Sequence, residues 1–361
     1  MMVDVRFQAS QVHDAIERHL STDPMIAAAV VDLAEVVRLA DLDGGRPASL
    51  LRLGFAVDAL ARQLGDDSAA LYPVVERGLL SDADLTANER MVIRRWSDDG
   101  LVEVLPAGTP ALRRAVEIGE LTGLSVISRS PLPAAASAGY TLVPAPGGAA
   151  LEPQSGAGGS GPAPRGRHPA LGRWWRCPVP DCASFGQHAA GHSPPLLARG
   201  VPTCPRHGER LVDGGPRPPA VALALRVHGE VRHRISLVGG RPLSVGRLPD
   251  DPSGVALAPY LDEQSGRWLS RTHVRLELHD DGGLSVLDTS TNGTVVLSRS
   301  GPGQPVRRVE LTGGQPHPWG EWDSVELCEG VELRRANRPT GEVSSSVMAD
   351  APTMSLRLPP A

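Results

Sequence analysis

Between residues 243 and 294, three short polar blocks each adjoin a run in which apolar and polar residues alternate. The alternating runs span 243–245, 274–278 and 284–287. A period of two predicts β-strands with one buried face, and polar residues next to such strands are expected on loops held by the sheet. The polar blocks are Gly246-Arg247, Ser270-Arg271-Thr272-His273 and Asp288 to Thr294.

These blocks contain the donors that a phosphate group requires. Arg247 can donate two charge-assisted hydrogen bonds in a forked geometry. The hydroxyls of Ser270 and Thr291 can each donate one more, and the side-chain amide of Asn292 can hold a peptide backbone. The sequence therefore predicts a loop-built pocket for a phosphorylated partner.

The same three blocks, in the same order, resemble the signature of the forkhead-associated (FHA) domain: Gly-Arg, then Ser-Arg-x-His, then a Ser-x-Asn-Gly-Thr-like loop. The resemblance covers roughly residues 220–337 and implies an eleven-stranded, all-β sandwich that binds phosphothreonine peptides at one end. It also implies that the phosphate is contacted by the side chains of Arg247, Ser270 and Thr291. The side chain of Asn292 would contact the peptide backbone next to the phosphate.

The resemblance assigns supporting roles to four more residues. His273 would hold the loops together from within, Gly246 and Gly293 would allow the backbone geometry, and Arg271 would support the pocket. The stretch 248–269 is longer than the family usually allows and is rich in proline and glycine, so peptide specificity is not carried over. A hairpin turn alone is the alternative reading of the Asn-Gly pair.

Length and composition set broad limits. A chain of 361 residues with 41% hydrophobic content is long enough for two or more domains. All 36 basic residues are arginine, which indicates a bacterial, high-GC source before it indicates nucleic-acid binding. Charged residues interrupt the apolar stretch 25–40, and the N-terminus lacks a basic-then-apolar pattern. No membrane span or signal peptide is predicted, and a cytoplasmic protein with reduced cysteines is expected.

Residues 170–215 are predicted to form a small zinc-ribbon-like module. Two ligand pairs on proline-stiffened turns let a short chain close around a tetrahedral ion. Four protein ligands leave no open position, so zinc would be structural. Unrelated cysteines are the alternative, and His188 or His192 could replace the fourth ligand. The predicted ligands are Cys177, Cys182, Cys204 and His207.

Trp174 and Trp175 lie between arginines just ahead of this module, a pattern that can bind nucleic acid. Packing of the tryptophans over the zinc module is favoured, because the patch is short and the chain carries a net charge of −5. A nucleic-acid-associated regulator acting through this module stays as an alternative function.

Residues 1–130 are predicted to form a mainly helical domain. Helices are expected over 25–40 after Asp23-Pro24, over 47–64, from a capping box at Thr86, and from Thr109-Pro110. Short strands are expected at 101–105 and 124–128. His13 and His19 are expected on the surface. No nucleotide-binding glycine loop or catalytic cluster is recognisable, so an interaction domain without enzymatic activity is expected, with a hidden enzyme as the alternative.

Two segments are predicted to lack fixed structure: a flexible Ala/Gly/Pro/Ser-rich tether at 131–169 and a disordered tail at 338–361. In the tail, Thr353 has a leucine three residues later and is a candidate phosphosite that could occupy the protein's own pocket. The predicted function is a phosphothreonine-dependent adaptor in serine/threonine kinase signalling, whose partners are the kinase or its substrates. A phospho-independent scaffold is a further alternative.

Overall fold

The structure is a computed structural model that describes residues 5–133, 138–154, 168–187, 189, 191–301, 303–338, 343 and 346–349. The chain divides into two compact units. Unit 1 comprises 1–63, 69–217 and 346–361, and unit 2 comprises 64–68 and 218–345.

Unit 1 contains a six-stranded sheet with the order β3-β2-β1-β4-β5-β6. The first five strands are parallel neighbours, and β6 pairs with β5 in an antiparallel hairpin. The strands are β1 (Ala29–Asp32), β2 (Leu71–Glu76), β3 (Glu103–Leu105), β4 (Ser125–Ile127), β5 (Gly139–Ala145) and β6 (Gly148–Pro153). The helices are α1 (Val5–Glu17), α2 (Leu33–Val36), α3 (Arg52–Leu64), α4 (Ala87–Asp98) and α5 (Ala111–Thr122).

The prediction of a mainly helical domain at 1–130 is therefore wrong, because this region forms an α/β fold. The predicted helix over 25–40 is replaced by a 3-10 turn at Pro24–Ile26, the strand β1 and the short helix α2. All four residues of β1 are buried. A central parallel strand is covered on both faces, so its apolar run has no alternation and resembles a buried helix.

Several local predictions in unit 1 are confirmed. The Thr86 capping box opens α4, with Thr86 Oγ1 accepting from the backbone N–H of Glu89. Strands β3 and β4 form where alternation was seen. His13 and His19, expected on the surface, are instead buried at 3% and 6% exposure. Nδ1 of His19 lies 3.1 Å from the carbonyl oxygen of Ala69.

The prediction of a flexible tether at 131–169 is wrong for residues 139–153, which form the hairpin of β5 and β6. Its turn uses Gly147 and Gly148, both with positive φ, and its small residues suit a sheet edge as well as a linker. Residues 155–167 of the predicted tether lie outside the described residues. The tail prediction also changes, because residues 347–349 form a turn.

The cysteine-rich segment belongs to unit 1. Tyr72 and Arg114 both donate to the buried carboxylate of Glu103, each over 2.7 Å. Arg114 also donates to the carbonyl of Pro194, which lies between Cys182 and Cys204 in sequence. The segment contains β7 (Arg173–Arg176), β8 (Leu196–Ala198), β9 (Val201–Thr203) and β10 (Val212–Pro216), paired as β7 with β10 and β8 with β9.

Unit 2 is a β-sandwich of eleven strands, as the resemblance implied. One sheet has the order β12-β11-β21-β20-β17-β18 and the other β14-β13-β15-β16-β19. Inward residues of both sheets form one core. The elements are β11 (Ala220–Val227), β12 (Glu230–Val238), β13 (Leu243–Gly246), β14 (Val255–Ala256), α6 (Glu263–Trp268), β15 (Val274–Leu278), β16 (Leu284–Asp288), β17 (Val295–Ser298), β18 (Arg307–Glu310), β19 (Pro316–Trp319), β20 (Ser324–Cys328) and β21 (Val331–Arg335).

The long stretch between Arg247 and Ser270 is ordered into short elements. It contains β14, a 3-10 turn at Ala258–Tyr260 and the helix α6. Asp262 caps α6, its carboxylate accepting from the N–H of Ser265 over 2.7 Å. Helix α6 ends at Trp268, two residues before Ser270, so the insertion leads directly into the second polar block.

Candidate functional site

The first two polar blocks meet because Gly246 has no side chain. A Cβ at this position would lie 2.7 Å from the backbone nitrogen of His273 and would overlap the carbonyl of Arg271. The close approach lets the N–H of Arg247 donate to the carbonyl of Ser270 over 2.9 Å. The end of β13 is thereby held against the loop that precedes β15.

Arg247 is exposed at this junction. Among the described residues, its guanidinium has no ion-pair or hydrogen-bond partner. A fixed backbone with a free, forked cation is the arrangement that anion recognition uses. Arg271, the other arginine of these blocks, is instead paired with Asp250 of the insertion at 2.5 Å.

The second and third blocks meet through Ser270 and Thr291. The backbone N–H of Thr291 donates to Ser270 Oγ over 3.0 Å. Accepting this bond leaves the hydroxyl proton of Ser270 available for another acceptor. Thr291 is exposed and Ser270 is half-buried. Both predicted hydroxyl donors therefore lie within one hydrogen bond of each other, and Ser270 is also bonded to Arg247 through the backbone.

Asn292 is exposed and reaches toward the insertion. Its side-chain amide donates to the carbonyl of Trp268 over 2.9 Å. Trp268 itself is 59% exposed and was missed by sequence reasoning. The signal available in the sequence was a tryptophan two residues before the predicted phosphate ligand Ser270. Large apolar side chains that are exposed often mark binding surfaces.

Trp268 and Asn292 border a groove of about 810 Å³. Arg308 and Glu326 also line it, and they form an ion pair at 3.1 Å. The groove places a mixed apolar and charged surface beside the exposed donors. Such a surface suits an extended peptide whose polar backbone and side chains both need partners.

The three blocks are supported from within by His273, which is fully buried. Its Nδ1 accepts from the N–H of Ser270 over 3.2 Å, and its own backbone carbonyl accepts from Thr289. Burial lowers the pKa of His273, and the nearby carboxylate of Asp288 partly opposes this shift. The imidazole is therefore neutral at pH 7, as an acceptor at Nδ1 must be.

Asp288 and Thr294 also organise the third block, a role that sequence reasoning did not assign to either residue. The carboxylate of Asp288, 5% exposed, accepts from the N–H of Ser290 and from the hydroxyl of Thr294. Gly293, between them, has a φ of +88°, which L side chains rarely adopt. The loop is thus held in a fixed shape from its base.

The second candidate site is the predicted metal cluster. The ligand atoms of Cys177, Cys182, Cys204 and His207 all lie within 4.8 Å of one another. The Sγ atoms of Cys182 and Cys204 are 3.8 Å apart, and Nδ1 of His207 lies 3.4 Å from Cys177 Sγ and 3.7 Å from Cys204 Sγ. Zinc–sulfur bonds of about 2.3 Å place tetrahedral ligands about 3.8 Å apart. The four side chains fit a tetrahedral ion.

The turns around Cys182 and Cys204 leave room for this cluster. Asp181 has a φ of 55°, and a Cβ on Gly186 would overlap the carbonyl of Cys182. Burial raises the pKa of Cys204 to about 12, although the N–H groups of His207 and Arg206 oppose this by facing the sulfur. Bound metal would overcome this preference, since a coordinating thiol is deprotonated.

The tryptophans ahead of the cluster have different surroundings. Trp175 packs on the core formed by the cysteines, Phe185 and Leu211, as the packing interpretation predicted. Trp174 lies 5.2 Å from the ring of His192, with the Arg217 guanidinium stacked over it. Arg217 pairs with Asp23, and Arg173 pairs with Asp213. Each of these two cations therefore has an acidic partner within unit 1.

Among the described residues, no helix is both long and apolar enough to cross a membrane.

No family model and no curated protein matches the chain. Similar proteins are found among solved structures. The FHA domain of MEK1 is 22% identical, with a TM-score of 0.25, over 33% of this chain and 88% of that one. The FHA domain of CT664 from Chlamydia trachomatis is 17% identical, with a TM-score of 0.25, over 33% of this chain and 97% of that one.

A third similar structure is the N-terminal FHA domain of Rad53p from S. cerevisiae, solved in complex with a phosphothreonine peptide. It is 16% identical, with a TM-score of 0.23, over 32% of this chain and 94% of that one. Identities and TM-scores this low carry no argument about function, which must be argued from the residues of this chain. About a third of the chain is similar to solved FHA domains, and the Cys177-to-His207 cluster is compatible with a metal-binding module.

Proposed function

We propose that the protein is a non-enzymatic adaptor whose unit 2 is an FHA domain that binds phosphothreonine peptides. The observation that carries the proposal is the exposed guanidinium of Arg247, without a partner among the described residues, beside the linked hydroxyl donors Ser270 and Thr291. An unpaired arginine next to two neutral donors matches the needs of a phosphate dianion.

The proposed geometry assigns a role to each side chain. Arg247 donates a bidentate pair to two phosphate oxygens, Ser270 donates its free hydroxyl proton, and Thr291 donates from its side chain. Asn292 then has a side-chain oxygen for an N–H of the peptide, because its amide nitrogen is held by Trp268. His273 stays neutral and keeps the three loops in register.

The proposed partner is a protein that carries a phosphothreonine made by a serine/threonine kinase, either the kinase or one of its substrates. A phosphate carries about two negative charges at neutral pH, so a cationic, water-exposed pocket favours it over an unmodified peptide. The groove beside Trp268 would receive the residues that flank the phosphothreonine. Its Arg308 and Glu326 offer contacts of both signs.

For unit 1, we propose a structural zinc ion held by Cys177, Cys182, Cys204 and His207. Four protein ligands at tetrahedral separations leave no coordination position for substrate. The ion would tie the turns of this segment together where the short strands β7 to β10 bury little apolar area. It has no assigned part in chemistry.

The decisive experiment is a titration of phosphothreonine peptides, drawn from a degenerate library, against the full chain. Arg247→Ala is expected to weaken peptide binding by about tenfold to a hundredfold or more, because a hydrogen bond to a charged group contributes about 1.5–3 kcal/mol. Arg241→Ala is the matched control, since Arg241 is also exposed but precedes β13, whereas Arg247 follows it.

Two outcomes would overturn the proposal. One is the absence of binding by the wild-type chain across the whole library. The other is equal affinity for phosphorylated and dephosphorylated peptides. Replacing phosphothreonine by phosphoserine is expected to cost about fourfold from burial of one methyl group, about 0.8 kcal/mol, and a larger loss would indicate that the pocket encloses the methyl.

A further inference from the structure

The described part of the C-terminal tail makes a specific contact with helix α3 of unit 1. The carboxylate of Asp58 accepts three hydrogen bonds from consecutive tail residues. Ser346 Oγ donates over 2.6 Å, the N–H of Val347 over 2.7 Å and the N–H of Met348 over 3.1 Å. A turn closed by the N–H of Ala349 and the carbonyl of Ser346 presents these donors together. We call this contact the tail clamp.

Asp58 lies within α3 and is 6% exposed. In the part of the chain that the structure describes, no arginine pairs with its carboxylate. A buried carboxylate without partners is strongly unfavourable, and here the three tail donors replace the water that it loses. The tail therefore completes the environment of a charged group that α3 alone leaves without a partner.

A second contact sits one helical turn away. Gly54 and Asp58 are four residues apart and so share a face of α3. A Cβ on Gly54 would overlap Sδ of Met348 and would lie 3.5 Å from Cδ1 of Ile16. The absence of a side chain at Gly54 thus forms the slot that the Met348 thioether fills. The tail clamp combines a polar anchor with a shape-dependent one.

We propose that Ser346 is a phosphorylation site and that its modification opens the tail clamp. Ser346 is exposed, and its hydroxyl is the member of the clamp that a protein serine kinase can modify. The inference goes beyond phosphothreonine binding, because the clamp lies wholly within unit 1 and uses none of the residues of the phosphate-binding loops.

The chemistry is a transfer of the γ-phosphoryl group of ATP. The bond between the γ-phosphorus and the oxygen bridging to the β-phosphorus breaks, and a phosphorus–oxygen bond to Ser346 Oγ forms. ADP leaves, and the hydroxyl proton is released. Ser346 then has no proton to donate to Asp58, and a group carrying about two negative charges lies beside the carboxylate. Attraction becomes repulsion between like charges.

A kinase would act on the open form of the tail. The clamp holds the tail through a few hydrogen bonds and one side chain, so docked and undocked forms exchange, and modification of the undocked form shifts the population toward it.

Hydrogen exchange followed by mass spectrometry tests the proposal on the full chain, because the N–H groups of Val347 and Met348 are themselves clamp donors. Phosphoserine is installed at position 346 during synthesis and compared with the wild type. We expect exchange at these amides to accelerate by about tenfold to a hundredfold for Ser346→Ala, which removes one bond to a charged group. Phosphoserine is expected to accelerate it further, because repulsion adds to the lost bond.

Gly54→Ala provides an independent route to the open form. The new methyl displaces Met348 while leaving Ser346 and Asp58 intact, and alanine has a higher helix propensity than glycine, so α3 keeps its fold. Faster exchange at Val347 and Met348 in this variant establishes that these amides report the clamp. Unchanged exchange in Gly54→Ala, or exchange in the phosphoserine protein no faster than in Ser346→Ala, overturns the proposal.

Discussion

The cysteine–histidine cluster of unit 1 and the three polar loops of unit 2 are both built from polar residues on turns. They differ in where those residues point, inward in the cluster and outward in the loops. The cluster turns its donors inward: Cys182 and Cys204 are 2% and 0% exposed, and the four ligand atoms lie within 4.8 Å of one another. The loops turn theirs outward, with Arg247, Thr291 and Asn292 all exposed.

This difference separates two kinds of polar site. In the cluster, the four potential ligand atoms face one another, so loss of the proposed metal ion is expected to destabilise the fold. In the loops, backbone contacts such as that between Arg247 and Ser270 hold the geometry, so the exposed side chain of Arg247 can change with little cost to the fold. Stability and binding should therefore respond to different mutations.

The largest effect is expected in the cluster. Cys204→Ser should abolish metal binding and lower the free energy of unfolding of unit 1 by more than about 4 kcal/mol, the range typical of a lost metal. Metal content and denaturant unfolding measure this. Cys328→Ser is the control, because Cys328 is half-buried and lies outside the cluster. Equal stability of the two variants would contradict an inward, metal-dependent site.

The next effect distinguishes binding from stability in the loops. Arg247→Ala should change the free energy of unfolding by less than about 0.5 kcal/mol, as expected for an exposed side chain without partners, while peptide affinity falls at least tenfold. Thermal unfolding and calorimetric titration of the same sample give both numbers. A large loss of stability would show that Arg247 supports the fold, as the buried residues of the cluster are expected to do.

A smaller, mixed effect is expected for Ser270→Ala. Loss of the acceptor for the N–H of Thr291 should cost about 1 kcal/mol of stability, and loss of the hydroxyl donor should reduce affinity by about tenfold. Ser285→Ala, on β16 and away from the three loops, is the control for affinity. If peptide affinity is unchanged in Ser270→Ala, the hydroxyl does not contact the phosphate.

The smallest effect is a pH dependence carried by His273. Its folded-state pKa lies below the usual histidine value of 6.5, chiefly because of burial. Between the two values the unfolded chain binds more protons, so stability increases with pH and is lost as pH falls below about 6.5. The slope of unfolding free energy between pH 7.5 and 5.5 should be shallower in His273→Gln than in wild type; an equal slope would contradict the role of His273.

Much of unit 2 was predictable because its strands bury one face. Val274, Leu276 and Leu278 point inward while Arg275 and Glu277 are exposed, and this alternation is legible in the sequence. The clustering of Cys177, Cys182, Cys204 and His207 was equally predictable from their spacing. The contact between Asn292 and Trp268 was not, since it depends on how the insertion folds into α6.

Unit 1 was harder for a physical reason. The strand β1 is buried on both sides, so its residues carry no period that separates strand from helix. Asp58 was invisible for another reason: within an amphipathic helix it looks like a solvent-facing acid, and its partners are 288 to 290 positions later. Local pattern carries no information about a contact of that range.

That separation gives the tail clamp a place in the order of synthesis. The ribosome adds about 5–20 residues per second, so Ser346 follows Asp58 by roughly half a minute at ten residues per second. During that interval α3 exists without its clamp, and all eleven strands of unit 2 emerge before the donors do. The Asp58 carboxylate therefore has none of its three tail donors until unit 2 has been synthesised.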